Sequence, residues 1–480
     1  MMHRTEITAP SMFGIPQVIG LQPDQQEALG ELVAQWVSKM PRNIERMLYL
    51  DGKNKLKDLR IALPPQLVGQ LEIVMGWPEK AVYELANRIV LDRITDVDGA
   101  SDPFDLNRVL FDNRFDVELP MATASSLAQS CAFMSTTPGG DGDPDALVMF
   151  HSALWATGIW DRRRRALKSA LLINDTDGLG QPTRMTMFLP AETVVCVKGA
   201  GWYVEDAIPH RLGRVPMEVI PFRPTLDRPF GRARVDRRVI SLTDRALRAG
   251  ARLEVHSELF SAMKLILLGA SEDTFTDDTG KPVPLWSFYM GRLNTLSKDE
   301  DGDVPELEQI KAESPEPHIA VMRQLASEFS GHTGVPLGSL GIATDNPESA
   351  QSKTVAREDI VADAEKQQTI MTAVLRRGLE NVLMIRDGLS ERPDGVLDLQ
   401  FIWRRPDRPT LAAVADSGAK QVGSIQGLAQ TTVGMELLGL RPDQIDRAQS
   451  ELRRTRAAST LDRLQAARTS TEDIPAAGGG

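Results

Sequence analysis

Residues 231–261 read GRARVDRRVISLTDRALRAGARLEVHSELFS. No proline interrupts them, and Val235, Val239, Leu242, Ala246, Ala249 and Leu253 recur at steps of four and three residues. Such steps place the six side chains on one face of a long helix, as a narrow apolar stripe. One position ahead of the stripe run Arg234, Arg238, Arg245, Arg248 and Arg252. A helix with an apolar seam and an arginine row beside it is built to pack against neighbours.

Downstream, residues 264–268 and 286–296 read as strands around two acidic turns, SEDTFTDDTGK and SKDEDGDVPE. Residues 271–308 hold ten acids, Asp299, Asp301 and Asp303 among them, against three bases, a net of −7. A second helix over 318–333 brackets this insertion, with Ile319, Met322, Ala326 and Phe329 on one face. GHTGVPLGSLGIATDNPES follows, and then a long helix over 349–386 whose inward face carries Ile360, Ala364, Gln367, Met371, Val374, Val382 and Ile385. A strand over 397–403 ends at Arg404-Arg405-Pro406. The chain from 409 to about 470 reads as helical, its last helix opened by Arg441-Pro442-Asp443. The tail IPAAGGG reads as disordered.

Upstream, residues 1–22 read as a flexible arm. A helix follows Pro23-Asp24, with Leu29, Leu32, Val33, Trp36, Val37 and Met40 at helical spacing and Pro41 as its expected end. Further helix is expected over 67–73 and 81–91. Strands are expected over 131–136 and 147–151 around the turn PGGDGDPD, and over 170–173, 185–189, 193–198, 202–204 and 219–222. Residues 23–230 therefore read as a mixed α+β region.

The chain has 480 residues, 42% of them hydrophobic, with 55 Lys+Arg against 66 Asp+Glu, a net charge of −11. That length and apolar content exclude whole-chain disorder and suggest two to four units. The acid excess argues against a protein that coats nucleic acid. No apolar run approaches the roughly 20 residues of a membrane span, and no secretory signal is recognisable. Cys131 and Cys196 form no CxxC pair and are expected as buried thiols of a reducing compartment.

Signatures of chemistry are missing. Ser352-Lys353-Thr354 follows Gln351 instead of the glycine of a phosphate loop. No HExxH, CxxC, GxSxG or GxGxxG occurs, and His256-Ser257-Glu258 lacks the PCxxC of a deaminase. The acidic turn at Gly302 matches a calcium loop only in part, with Ser297 at its first position and Pro305 at its ninth. Asp161-Arg162-Arg163-Arg164-Arg165 reads either as a solvated or interface face or as a nucleic-acid patch. Nothing in these motifs supports an enzyme, although paired carboxylates leave little trace in a sequence, and no cofactor or metal is expected.

Four stretches carry a resemblance: Tyr49-Leu50-Asp51-Gly52 with Asn54 and Leu63-Pro64-Pro65; Gly76-Trp77-Pro78 with Ala81-Val82 and Leu85-Ala86-Asn87-Arg88; Arg214-Val215-Pro216 through Phe222 and Phe230-Gly231-Arg232-Ala233-Arg234; and Thr333-Gly334-Val335-Pro336 to Leu340-Gly341 with Asp345-Asn346-Pro347-Glu348-Ser349-Ala350. With the order of elements over roughly 45–465, they resemble the portal proteins of tailed bacteriophages. The fold implied is α+β: an arm (1–22), a mixed α/β wing (23–230), long stem helices (231–262 and 313–333), a small β-containing clip insertion (263–312), a tunnel loop (334–348), a long helix and strand returning to the wing (349–408), a helical crown (409–468) and a tail (469–480).

The resemblance further implies a dodecameric ring at one capsid vertex of the virion, assembled in the host cytoplasm. Such a ring passes double-stranded DNA during packaging and ejection, docks the terminase and head-completion or tail-adaptor proteins, meets the major capsid and scaffold proteins, and touches no membrane. Another virion structural protein, a capsid or tail-adaptor component, is the alternative, and a metal-dependent packaging enzyme a more distant one. The tunnel loop takes in Gly334, Val335, Pro336, Gly338, Gly341, Asp345 and Asn346, with one acid and no base, which suits a mobile polar collar. The arginine row on the first stem helix suits intersubunit ion pairs or DNA contact. Arg453, Arg454, Arg456, Arg463 and Arg468 are the crown's basic candidates for DNA. A conduit gains from weak phosphate contacts, since every one is multiplied around a ring.

Overall fold

Pro23 suits a first helical turn because its fixed φ is already helical. In the computed structural model, which describes residues 13–57, 72–97, 102–260, 264–268, 306–310, 313–342, 357–407 and 409–472, helix α1 runs over Pro23–Leu50. Pro41 lies inside it instead of ending it. The half beyond Pro41 is held from outside: Asn43 donates to the Ala153 carbonyl at 2.9 Å, Arg46 to the Gln129 carbonyl at 2.8 Å, and the Tyr49 hydroxyl to Asp244 at 2.6 Å. These tertiary bonds offset the backbone bond that proline cannot donate.

The chain divides into two compact units, Met1–Asn87 with Asn107–Val396 and Arg88–Leu106 with Leu397–Gly480. In the first, strands β5 (Ala156–Asp161), β6 (Ala166–Thr176), β7 (Pro182–Phe188), β8 (Glu192–Lys198) and β9 (Trp202–Pro209) form an antiparallel meander, and β1 (Val18–Ile19) adds parallel to β9. Period-two alternation gives this sheet two apolar faces. Leu171, Ile173, Met185, Met187, Val194 and Cys196 pack on Leu29, Leu32, Val33, Trp36 and Met40 of α1. Ala170, Leu172 and Phe188 face the other way, onto Cys131, Phe133, Met217 and Val219. The latter four belong to a second sheet, ordered β10 (Met217–Pro221), β3 (Cys131–Pro138), β4 (Ala146–Ser152). Its remaining face meets two helices, α4 (Phe115–Gln129) and α7 (Glu358–Arg386). A Cβ at Gly378 would lie 2.6 Å from the sulfur of buried Met134, so glycine lets α7 lie close on β3. Both cysteines are free buried thiols, and burial pushes them up, Cys131 to about 12 and Cys196 to about 11.

The sequence reading passes over α4 and β5. The second half of α4, residues 122–129, is buried nearly all round, so it shows no amphipathic stripe, and Pro120 with its Ser and Thr residues obscures the helix. Two of those hydroxyls bond inside the helix: Thr123 donates to the Leu119 carbonyl at 2.8 Å and Ser126 to the Thr123 carbonyl at 2.9 Å.

The helix that opens the sequence reading starts six residues later than expected, as α5 (Arg237–Phe260). Its N-cap is Asp236, whose carboxylate accepts from Arg238 N at 2.9 Å and Val239 N at 3.0 Å. Ahead of it the chain turns at Gly231, φ +73°, and Arg232 N donates to the Phe222 carbonyl at 2.8 Å. The stripe is real: Val235, Val239, Leu242, Ala246 and Ala249 are buried. Helix α6 (Glu316–Thr333) packs along α5 and buries Leu325, Ala326 and Phe329. Between the two, β11 (Lys264–Leu268) and β12 (Glu306–Ile310) pair antiparallel, Lys264 opposite Ile310. Strand β12 falls where the sequence suggested an acidic turn and its flank. The expected strand over 286–296, Asp299, Asp301 and Asp303 lie outside the described residues, as do Ser352-Lys353-Thr354, residues 473–480 and all but the last two residues of the expected helix over 67–73, and those two are not helical.

The second unit pairs β2 (Leu91–Thr95) antiparallel with β13 (Gln400–Trp403), so the expected helix over 81–91 ends as α2 (Trp77–Ala86) and gives way to a strand. Arg88 donates to the Pro406 carbonyl at 2.6 Å, and Arg404 pairs with Asp92 at 2.6 Å. Residues 88–106 thus group with 397–480, although the sequence reading assigned them to the wing. Three helices follow, α8 (Leu411–Ser424), α9 (Thr432–Leu437) and α10 (Pro442–Glu472). A Cβ at Gly418 would lie 2.0 Å from the Leu437 carbonyl oxygen, so α8 and α9 touch backbone to backbone. Among the described residues no helix is long and apolar enough to cross a membrane.

Gly231 offers a direct check of the turn into α5. A Cβ there would fall 2.1 Å from the Phe222 carbonyl oxygen, in a left-handed conformation. Gly231→Ala is expected to cost on the order of 2–3 kcal/mol, read as a lowered denaturation midpoint.

Candidate functional site

The paired helices α5 and α6 and the loop after α6 meet at one polar knot. Arg234, just before α5, is 5% exposed. Its guanidinium donates to the backbone carbonyls of Ala81 in α2 and Thr333 at the end of α6, and lies 3.4 Å from Asp363 of α7. Arg223 shares Asp363 at 2.5 Å. Burial lowers the Arg234 guanidinium to about 10, against the pull of Asp363. The sequence placed Arg234 first in a row facing a neighbour or DNA. The structure turns it inward, where its partners belong to its own chain.

The rest of the row divides. Arg245 is bound to Glu328 of α6 at 2.9 Å, an exposed pair that ties the two helices weakly. Arg238 and Arg252 are exposed and Arg248 is half-buried, and none has an ion-pair partner among the described residues. Asp236 caps α5 and also meets His332 in the last turn of α6 at 3.1 Å. On the side of α5 that faces α1, buried Asp244 accepts from Tyr49 at 2.6 Å and from Lys57 at 2.8 Å, and Lys57 donates to the Tyr49 hydroxyl at 2.9 Å. The bond to Asp244 holds the Lys57 ammonium above its ordinary range. Tyr49, first noted as part of a motif, thus anchors α1 to α5.

Helix α6 stops because Gly334 takes φ +69°, a left-handed C-cap, with its N–H on the Ser330 carbonyl at 2.8 Å. A Cβ there would lie 3.3 Å from the Cβ of Asp359 in α7. Val335 is fully buried. The chain then makes a 3-10 turn over Leu337–Leu340, buries Leu340 and turns again at Gly341, φ +81°. The first residues of this loop are therefore an apolar plug and not the polar collar expected from composition. Pro336 and Gly338 lie between the plug and the turn. Asp345 and Asn346 lie outside the described residues.

A second ionic cluster fixes α7 to the sheet. Glu380 receives Arg214 at 2.9 Å and Arg392 at 2.9 Å, and Arg214 also donates to Asn381 at 2.7 Å. Glu218 of β10 is buried, 3.5 Å from half-exposed Arg377. Burial outweighs Arg377 and Arg214 and pushes the Glu218 carboxyl up to about 7. This cluster is what the stretch from Arg214 to Phe222 builds.

In the second unit Arg453, Arg454 and Arg456 project from the exposed face of α10, and Arg456 donates to Gln430 at 2.5 Å. Arg463 and Arg468 fall on the same helix. Among the described residues no group of three or more His, Cys, Asp or Glu side chains could hold a metal ion.

No protein-family model matches the chain. Two curated relatives do: it is 24% identical over 396 residues to the portal protein of Mycobacterium phage L5, covering 79% of this chain and 78% of that one. It is 24% identical over 390 residues to the portal protein of Mycobacterium phage D29, covering 79% of each. Among solved structures, a chain of the virion of a native gene transfer agent particle gives a TM-score of 0.44 at 14% identity, over 85% of this chain and 99% of that one. A chain from the neck of an empty particle of the same kind gives 0.43 at 14%, over 83% and 94%.

Two outcomes follow from the polar clusters. Arg234→Met leaves Asp363 short of one cation and two buried carbonyls without their donor, at a cost of about 3–5 kcal/mol, read as a lowered denaturation midpoint. For Glu218, the folded value lies above the ordinary 4.5, so the ionised form is disfavoured by folding. Stability is full below about 4.5, falls as pH rises toward about 7 and is level above; the loss is on the order of 3 kcal/mol. Glu218→Gln should flatten that slope in thermal midpoints measured from pH 4 to 8, and an unchanged slope would assign it to another group.

Proposed function

We propose that this chain is a portal protein, a structural subunit of a virion that assembles as a ring at one capsid vertex and lets double-stranded DNA through. The observation that supports this most is the match to two phage portal proteins over about four-fifths of both chains. The paired helices α5 and α6, bracketing an acidic insertion, are the elements such a reading needs. In this reading α5 and α6 are the stem, residues 263–312 the clip, 334–348 the tunnel loop, 409–468 the crown, and the α1–sheet–sheet body the wing.

A head-to-tail ring needs two unlike complementary surfaces on each subunit. Arg238, Arg248 and Arg252, without ion-pair partners in their own chain among the described residues, supply one basic surface along the stem. An acidic face of the neighbouring subunit is the partner that such a row fits. The twelve-fold ring, and the terminase, head-completion, capsid and scaffold proteins as partners, belong to the same proposal. The clip acids Asp299, Asp301 and Asp303 would repel phosphate and keep DNA sliding, and Arg453, Arg454 and Arg456 would meet DNA inside the capsid.

Electron microscopy of the purified full chain tests the reading. Rings of about twelve subunits with a central hole are the expected outcome. Monomers or hexamers under all conditions would reject it in favour of a capsid or tail-adaptor component.

A further inference from the structure

The turn between β5 and β6 holds Asp161-Arg162-Arg163-Arg164-Arg165, four arginines in succession in a chain of net charge −11. Its backbone is fixed from two sides. The Asp161 carboxylate accepts from Arg163 N at 2.8 Å and Arg164 N at 3.0 Å, and Arg377 of α7 donates to the Arg165 carbonyl at 3.3 Å. Arg165 itself takes φ +53°, which tightens the return into β6. Asp161 is thus engaged by the turn's own N–H groups, which hold its carboxyl below the ordinary range. All four guanidinium-bearing residues are exposed, and none has an ion-pair partner among the described residues.

A rigid turn that fans four guanidinium groups from less than about 7 Å of backbone suits a dense array of anions. Double-stranded DNA presents one phosphate charge per about 1.7 Å of axis, so several can be met at once. An extended acidic peptide, with alternate side chains on opposite faces, offers one same-face carboxylate per about 7 Å. Arginine also takes phosphate oxygens two at a time, where lysine acts as a point charge.

We propose that the Arg162–Arg165 turn is a phosphate-binding knuckle that contacts the backbone of double-stranded DNA without reading sequence. The presence of DNA as a partner rests on the portal reading, but the contact is local to one subunit. Its position fits a conduit. Arg377, which braces the knuckle, lies 18 residues beyond Asp359 on α7, about 27 Å along the helix from where Gly334 packs. The grip is kept away from the loop through which DNA would slide.

The test measures binding of a random 30-base-pair duplex to the full chain by fluorescence anisotropy, from 50 to 200 mM salt. It compares the unaltered protein with Arg163→Gln/Arg164→Gln and with Arg453→Gln/Arg454→Gln. Loss of two phosphate contacts should make the plot of log K against log salt shallower by about 2, so that the unaltered protein loses about 12-fold more affinity over that range than the turn variant. An unchanged slope in the turn variant overturns the proposal, and so does a polyglutamate peptide that displaces the duplex at equal charge. Thermal midpoints check folding, and since the Asp161 bonds go to backbone N–H groups they should survive the substitutions. Ring formation is scored on the same samples. A shallower slope without rings supports the knuckle and rejects the portal reading, whereas rings lost only in the turn variant make the turn a subunit contact and overturn the knuckle.

Discussion

The buried guanidinium of Arg234 is the constraint on which the first unit depends. A charge at 5% exposure is tolerated only if its donors are used, and here they go to the carbonyl of α2, the carbonyl that ends α6 and the carboxylate of α7. Three elements far apart in sequence are thereby fixed at the base of α5. The cap on Asp236, the Gly334 stop and the buried Val335 all lie within one turn of that point. The root of the paired helices α5 and α6 is thus built of hydrogen bonds with defined directions, not of apolar contact alone.

Much of this was legible in the sequence, for a physical reason. The stripe from Val235 to Leu253 has a helical period because one side of it is buried, and the strands between Ala166 and Trp202 read as short apolar runs bounded by turn residues because the sheet packs on both faces. Where neither signal is present, the reading failed. Helix α4 is buried nearly all round over its second half, β2 is a short strand paired with a segment about 300 residues away, and Pro41 is carried through α1 by contacts no local rule can see.

The candidate site was legible in its residue types more than in its roles. The arginine row was visible as a spacing, yet burial decides that Arg234 is structural and Arg238 is not, and burial depends on α2 and α7. Val335 read as a loop residue and is a plug. The motif at Tyr49 gave no hint of Asp244, because the two meet only when α1 crosses α5. Glu218 lies just ahead of the strand expected over 219–222, and its raised carboxyl comes from being covered rather than from its neighbours' signs.

The strands β11 and β12 stand side by side, about 4.8 Å apart, where the acidic insertion leaves and rejoins the helix pair. A segment whose two ends are held together in this way is a cassette. Its length and sequence can change without moving α5 against α6, because the closure is made below it and each doubling of the enclosed length costs only about 0.6 kcal/mol more. A lineage can therefore exchange the stretch between these strands while the helices beneath stay constant, and an engineer can graft a tag or a binding loop between Leu268 and Glu306 on the same principle.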